Sequence, residues 1–223
     1  MMETPAVKLA FLGDSITEGC FEFYPCSYGF ETVRRPEDGY AWKTVKALRK
    51  KYGEPAIEYQ NYAKSGYNAY MSLPLANELI QSHPDIAIVC FGLNDALHPE
   101  ERFEAALENL FQKLCSTVQK TIFVTPNMMN TYLHPQTLPC ARKLAEKTMT
   151  AQTSGKFDRM IESAKRLCHK YGVIPCDVYS YWKRLYTAGT DVTELLVNRI
   201  NHPTVPMHDI AAEILTEIID QNI

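Results

Sequence analysis

The sequence predicts an α/β domain, a mostly parallel sheet covered by helices on both faces. Two observations carry that prediction. Short apolar runs that read as buried strands alternate with amphipathic stretches along the chain. No internal repeat, low-complexity tract or linker interrupts the alternation, so residues 1–223 read as one domain.

The strands are expected at 7–12, 57–61, 86–91, 121–125 and 173–178. A helix over 42–51 places Trp42, Val45 and Leu48 on one face. A second, over 103–118, repeats Phe103, Ala106, Leu107, Leu110, Phe111 and Leu114. A third, over 157–171, aligns Phe157, Met160, Ile161, Ala164, Leu167 and Cys168, and a fourth closes the chain over 210–219. Two long segments break the rhythm: 21–39, aromatic and turn-rich, and 126–153, rich in proline and polar residues. Both begin at the carboxyl ends of strands, where open α/β sheets bind ligands.

Composition narrows the function. The net charge is −3, which lacks the basic footprint of a nucleic-acid binder. The longest apolar runs, such as 86–92, are too short to span a bilayer, so no membrane partner is expected. Seven cysteines lie scattered without a CxxC pair, which argues for reduced thiols and a cytoplasmic setting. The first apolar run leads straight into a turn with no cleavage site, and Met1 looks like a native start, so no leader is expected.

Three strand ends carry chemistry. The first ends in Gly13-Asp14-Ser15, the second in Asn61-Tyr62-Ala63-Lys64-Ser65-Gly66, the third in Gly92-Leu93-Asn94-Asp95. Brought together, they supply a hydroxyl, a glycine amide and a carboxamide. Acyl transfer needs that set: a nucleophile, and donors for the oxyanion that develops on the substrate carbonyl. The Ser15 amide is a third candidate donor. Of six histidines, His202 is the best placed base, in a turn just before the last helix. His83 and His98 precede prolines, His134 lies in the second long segment and His169 ends a helix. His208 falls at the start of the final helix and reads as a cap or packing residue.

With these blocks in view, the chain resembles the SGNH hydrolases, also called the GDSL esterase/lipase family. The matching blocks are Gly13-Asp14-Ser15-Ile16-Thr17-Glu18-Gly19, Gly66, Gly92-Leu93-Asn94-Asp95 and His202 in Asn201-His202-Pro203, in the family's order. The resemblance implies a three-layer, flavodoxin-like α/β/α sandwich with a five-stranded parallel sheet ordered 2-1-3-4-5. It implies Ser15 as nucleophile and His202 as general base, then acid. The oxyanion hole would be the amides of Ser15 and Gly66 with the Asn94 side chain. Asp14 and Asp95 would support their turns. The activity implied is hydrolysis of small carboxylic esters through an acyl-enzyme, with acetyl esters of carbohydrates as first candidates and no metal or cofactor.

One position departs from the family. Three residues before the histidine, where an aspartate usually orients the imidazole, stands Arg199, which can only donate. A backbone carbonyl near Asn198 or Arg199 is the favoured substitute; Asp191, Glu194 and the Asn198 side chain are the others. The departure also motivates a second reading, a catalytically weak or inactive ligand-binding protein on the same fold. A phosphate binder is disfavoured, because the first strand turn lacks a glycine-rich loop. Blander readings exist for each residue: Ser15 as a helix N-cap, Gly66 as a turn glycine, Asn94-Asp95 as a helix-starting turn and His202 as a surface residue. Tyr24, Tyr28, Phe30, Tyr67 and Tyr70 are read as pocket borders or loop filling. Tyr179, Tyr181, Trp182 and Tyr186 are read as packing for the histidine loop, and Met128 and Met129 as a soft pocket wall.

Overall fold

The computed structural model describes residues 6–223; Met1 lies outside them. Five strands form one parallel sheet: β1 (Val7–Gly13), β4 (Ile57–Asn61), β5 (Ile86–Cys90), β6 (Lys120–Val124) and β7 (Ile174–Cys176). Their spatial order is β4-β1-β5-β6-β7. Counted within this sheet alone, that is 2-1-3-4-5. The central strands are apolar on both faces: Leu9 to Leu12 and Ile86 to Cys90 are all buried. Helices must therefore cover both sides. They are α2 (Tyr40–Tyr52), α3 (Leu73–Gln81), α4 (Glu100–Cys115), α5 (Arg142–Thr153), α6 (Lys156–Tyr171), α7 (Val178–Thr187) and α8 (Val205–Asp220), with a single turn, α1 (Ser15–Glu18), directly after β1. α2 packs on α8, and α4 on α6.

The long segment at 21–39 holds a feature that was not anticipated, an antiparallel hairpin of β2 (Cys20–Cys26) and β3 (Gly29–Arg34). Its strands alternate too weakly to announce themselves, and Pro25 sits inside one of them. Helix α5 was also hidden, inside the second long segment. Its buried positions are Ala145, Thr148, Ala151 and Gln152, small or polar residues that leave no apolar stripe to read. The fifth strand is shorter than expected because Asp177 caps α7, its side chain accepting the Ser180 N–H. Met128 and Met129 are fully buried core residues, not a pocket wall. Tyr179 and Trp182 are buried as packing.

Candidate active site

The carboxyl edge of the sheet gathers the singled-out residues. Gly13 ends β1 where a Cβ would sit 2.2 Å from Thr17 Oγ1 and 3.0 Å from the Cys90 carbonyl, so no side chain fits. The chain then turns into α1. Asp14, not Ser15, is the N-cap: its carboxylate accepts the Ile16 N–H at 3.0 Å. Ser15 is the first helical residue, so its own N–H has no intrahelical acceptor. Its Oγ lies 3.0 Å from His202 Nε2.

His202 reaches this point on a turn built around Asn198. The Asn198 Oδ1 accepts the N–H groups of Ile200, Asn201 and His202 at 3.0, 2.9 and 3.0 Å. The opposite edge of the ring decides its chemistry. His202 Nδ1 is 2.6 Å from the backbone carbonyl of Phe21 in β2. A carbonyl can only accept, so Nδ1 carries the proton and Nε2 is left with a lone pair toward the serine hydroxyl. This corrects the expected position of the carbonyl: it comes from the hairpin, not from Asn198 or Arg199. Asp191 and Glu194 do not serve either. Asp191 accepts from the Thr193 N–H and the Tyr132 hydroxyl, while Glu194 pairs with His134 and Arg199. Arg199 itself, at φ 61°, directs its guanidinium to Glu194 and toward Gln136.

Both catalytic candidates are shielded: Ser15 is 5% exposed and His202 2%. The Phe23 ring, stacked on Phe30, packs edge-on to the imidazole at 5.0 Å. Burial pulls the His202 pKa down to about 4, opposed by the Phe21 carbonyl and the Glu22 charge. The ring is therefore neutral, as a base must be, throughout the mildly acidic and neutral range.

The remaining donors sit on two neighbouring loops. Gly66 is exposed at φ 79°, in a turn where Tyr67 N–H donates to the Lys64 carbonyl at 3.1 Å. A positive φ at the third turn position favours glycine, and its N–H donates to none of the described residues. Asn94 follows β5 and donates one amide hydrogen to the Tyr67 carbonyl at 2.8 Å, leaving the second free. Asp95 ties the same two loops: its Oδ1 accepts the Ala69 N–H at 3.0 Å. Burial raises Asp95 to about 6 and Asp14 to about 7, with each Asp14 hydrogen bond pulling the other way. Among the described residues no cluster of three His, Cys, Asp or Glu side chains is placed to hold a metal ion. No helix of the described residues is long and apolar enough to cross a membrane.

This arrangement can be set beside known proteins. The profile of the GDSL-like Lipase/Acylhydrolase family matches residues 11–210. The chain belongs to that family. With membership comes the reaction class, carboxylic ester hydrolysis. Among curated proteins, no relative matches the chain in sequence. Among solved structures, this GDSL-family hydrolase is similar in fold to an acetylxylan esterase from Geobacillus stearothermophilus, with 22% identity, a TM-score of 0.70 and coverage of 98% of this chain and 96% of that one. It is similar to an alpha/beta hydrolase from the metagenome of Lake Arreo, Spain, with 21% identity, a TM-score of 0.69 and coverage of 97% of both chains. Variants of the Geobacillus esterase at a serine, an aspartate and a histidine are described as catalytic mutants.

Proposed function

We propose that this GDSL-family hydrolase cleaves small acetyl esters, those of carbohydrates first, with Ser15 as nucleophile and His202 as its base. The observation that carries the proposal is the relay from the Phe21 carbonyl through His202 to Ser15, with contacts of 2.6 and 3.0 Å. Ser15 Oγ attacks the substrate carbonyl as Nε2 takes its proton. The oxyanion is received by the N–H groups of Ser15 and Gly66 and the free amide hydrogen of Asn94. His202 then protonates the departing alcohol, and water activated by the same nitrogen releases the acid. The Phe21 carbonyl holds the tautomer that this cycle needs and gives the transient imidazolium a partner. Asp14 and Asp95 hold the turns that carry Ser15 and Asn94.

The choice of acetylated carbohydrate has narrower support. The fold likeness includes an acetylxylan esterase. Exposed Tyr24, Tyr28 and Tyr70 lie on the hairpin and on the loop after Gly66, flat faces of the kind sugar rings stack on. Intact-mass analysis after exposure to a fluorophosphonate tests the mechanism. One adduct is expected on the wild type and none on Ser15→Ala. A folded wild type that stays unlabelled would favour the ligand-binding reading that Arg199 suggested. Initial rates on acetyl, butyryl and longer esters of xylose and of simple alcohols then rank the substrates.

A further inference from the structure

We infer that Glu18 is a positioning residue for the oxyanion-binding turn, and that Arg34 of the hairpin holds it in place. This deepens the mechanism proposed above and rests on it.

Glu18 ends the single turn that begins with Ser15. Its carboxylate collects donors from two separate elements. The Ser65 N–H donates to Oε2 at 2.6 Å, and Arg34 Nε donates to Oε1 at 3.0 Å. The buried Cys20 thiol approaches Oε2 at 3.7 Å. Ser65 immediately precedes Gly66, whose amide is a proposed oxyanion donor. The turn carrying that amide is otherwise tied on either side of Ser65: Lys64 N–H donates to the Gly13 carbonyl at 3.1 Å, and the Tyr67 carbonyl accepts from Asn94 at 2.8 Å. Glu18 supplies the tether in between.

The geometry makes that tether consequential. A four-residue turn has two forms that differ by a flip of its central peptide. Here the central peptide joins Ser65 to Gly66, so a flip would turn the donor N–H away. Pinning the adjoining Ser65 N–H restricts the swing. A charged acceptor makes a stronger bond than a neutral one, and Arg34 keeps the carboxylate aimed between its partners. The Glu18 side chain is 27% exposed, so it is sheltered enough to hold position. Serine, base and oxyanion donor are then set by one short segment: Ser15 starts α1, Glu18 ends it, and Phe21 follows three residues later.

The test uses Glu18→Ala, Glu18→Gln and Arg34→Ala on an activated aryl acetate, with thermal melts to establish folding. Three readouts are followed: kcat, KM, and affinity for a boronic acid that forms a tetrahedral adduct on Ser15. Glu18→Ala is expected to lower kcat by about 10- to 100-fold with KM within twofold, because the loss falls on the transition state. Boronate affinity should fall in step with kcat. Glu18→Gln should recover part of the loss, since its carbonyl oxygen still accepts from Ser65, and Arg34→Ala should lie between Glu18→Gln and Glu18→Ala. Folded variants with wild-type kcat and boronate affinity would overturn the inference, as would a rise in KM alone. A wild type that takes no fluorophosphonate label would instead sink the mechanism itself, and the label separates the two failures.

Discussion

Two buried histidines stand near one another, and only one has the geometry that the proposed base needs. His202 is 2% exposed and His208 1%. In His202, Nδ1 faces a carbonyl and must donate. In His208, Nδ1 accepts the Tyr40 N–H at 3.1 Å, so its proton is on Nε2. That Nε2 is buried with no hydrogen-bond partner among the described residues. His208 lies tilted against Phe21 and nearly parallel to Tyr40, as a flat piece of core. Burial lowers both, to about 4 for His202 and about 3 for His208, where the His202, Lys43 and Arg35 charges add to the effect. Similar burial thus produces two chemistries. The difference lies in which backbone group, an acceptor or a donor, meets Nδ1.

The largest test of that comparison removes each ring. His202→Ala should lower kcat by roughly 10³-fold or more, the scale on which a serine loses its base. His208→Asn retains an acceptor near the Tyr40 N–H and should leave kcat within a few-fold. Comparable losses in the two folded variants would show that the assignment by tautomer is wrong. Next in size is the pH profile of kcat/KM. The proposed mechanism uses neutral His202, so the acid limb should bend near pH 4 and fall about tenfold per unit below it. A limb near pH 6.5 would mean that the imidazole is not desolvated.

The stability side of the comparison is smaller. A histidine whose folded pKa is lowered is protonated first in the unfolded chain. Its contribution is complete above about pH 6.5 and is lost as pH falls toward the folded value. For each of the two rings the slope reaches about 1.4 kcal/mol per pH unit. Asp14 and Asp95, raised to about 7 and 6, act in the opposite sense, favouring the folded state as pH falls toward their unfolded value. The wild-type curve is therefore partly compensated and hides both effects. His208→Asn exposes one of them. Its destabilisation, about 1–3 kcal/mol at pH 8, should shrink by pH 5, as read by denaturant melts at the two pH values. A penalty independent of pH would remove His208 from the titrating groups.

These contrasts also mark what could be read in the sequence. The parallel sheet was legible because its strands are buried on both faces and stand out as apolar runs, Leu9 to Leu12 and Ile86 to Cys90 among them. The proposed site residues Ser15, Gly66 and Asn94 could be singled out because they follow recognisable strand ends, and His202 because it lies in a turn just before the last helix. The group that faces Nδ1 was not. It is a main-chain oxygen, and any residue type at position 21 would present one. What could have been noticed is Glu18 beside the serine and Arg34 at the far end of the same aromatic segment, opposite charges that a hairpin would bring together. From the sequence, Asn198 offers a nearby backbone carbonyl or a side chain to orient the ring; its three accepted N–H bonds give it the separate task of shaping the turn under His202.

The finest test puts the family's usual residue back. Arg199→Asp places a carboxylate three residues before His202, and a carboxylate absent from the relay would ordinarily be expected to help. The geometry argues otherwise. Nδ1 has one proton, and the Phe21 carbonyl already holds it at 2.6 Å. Position 199 has φ 61°, a conformation aspartate adopts more readily than arginine, so the backbone should accept the change. Its present side chain reaches Glu194, away from the imidazole. A new carboxylate would therefore have to displace a carbonyl that already accepts this proton. The expected outcome is a kcat within about threefold of wild type, because the hydrogen bond made would replace the one lost. An increase of tenfold or more would mean that the hairpin carbonyl is an inferior stand-in, and that the site has been held back by the residue at 199.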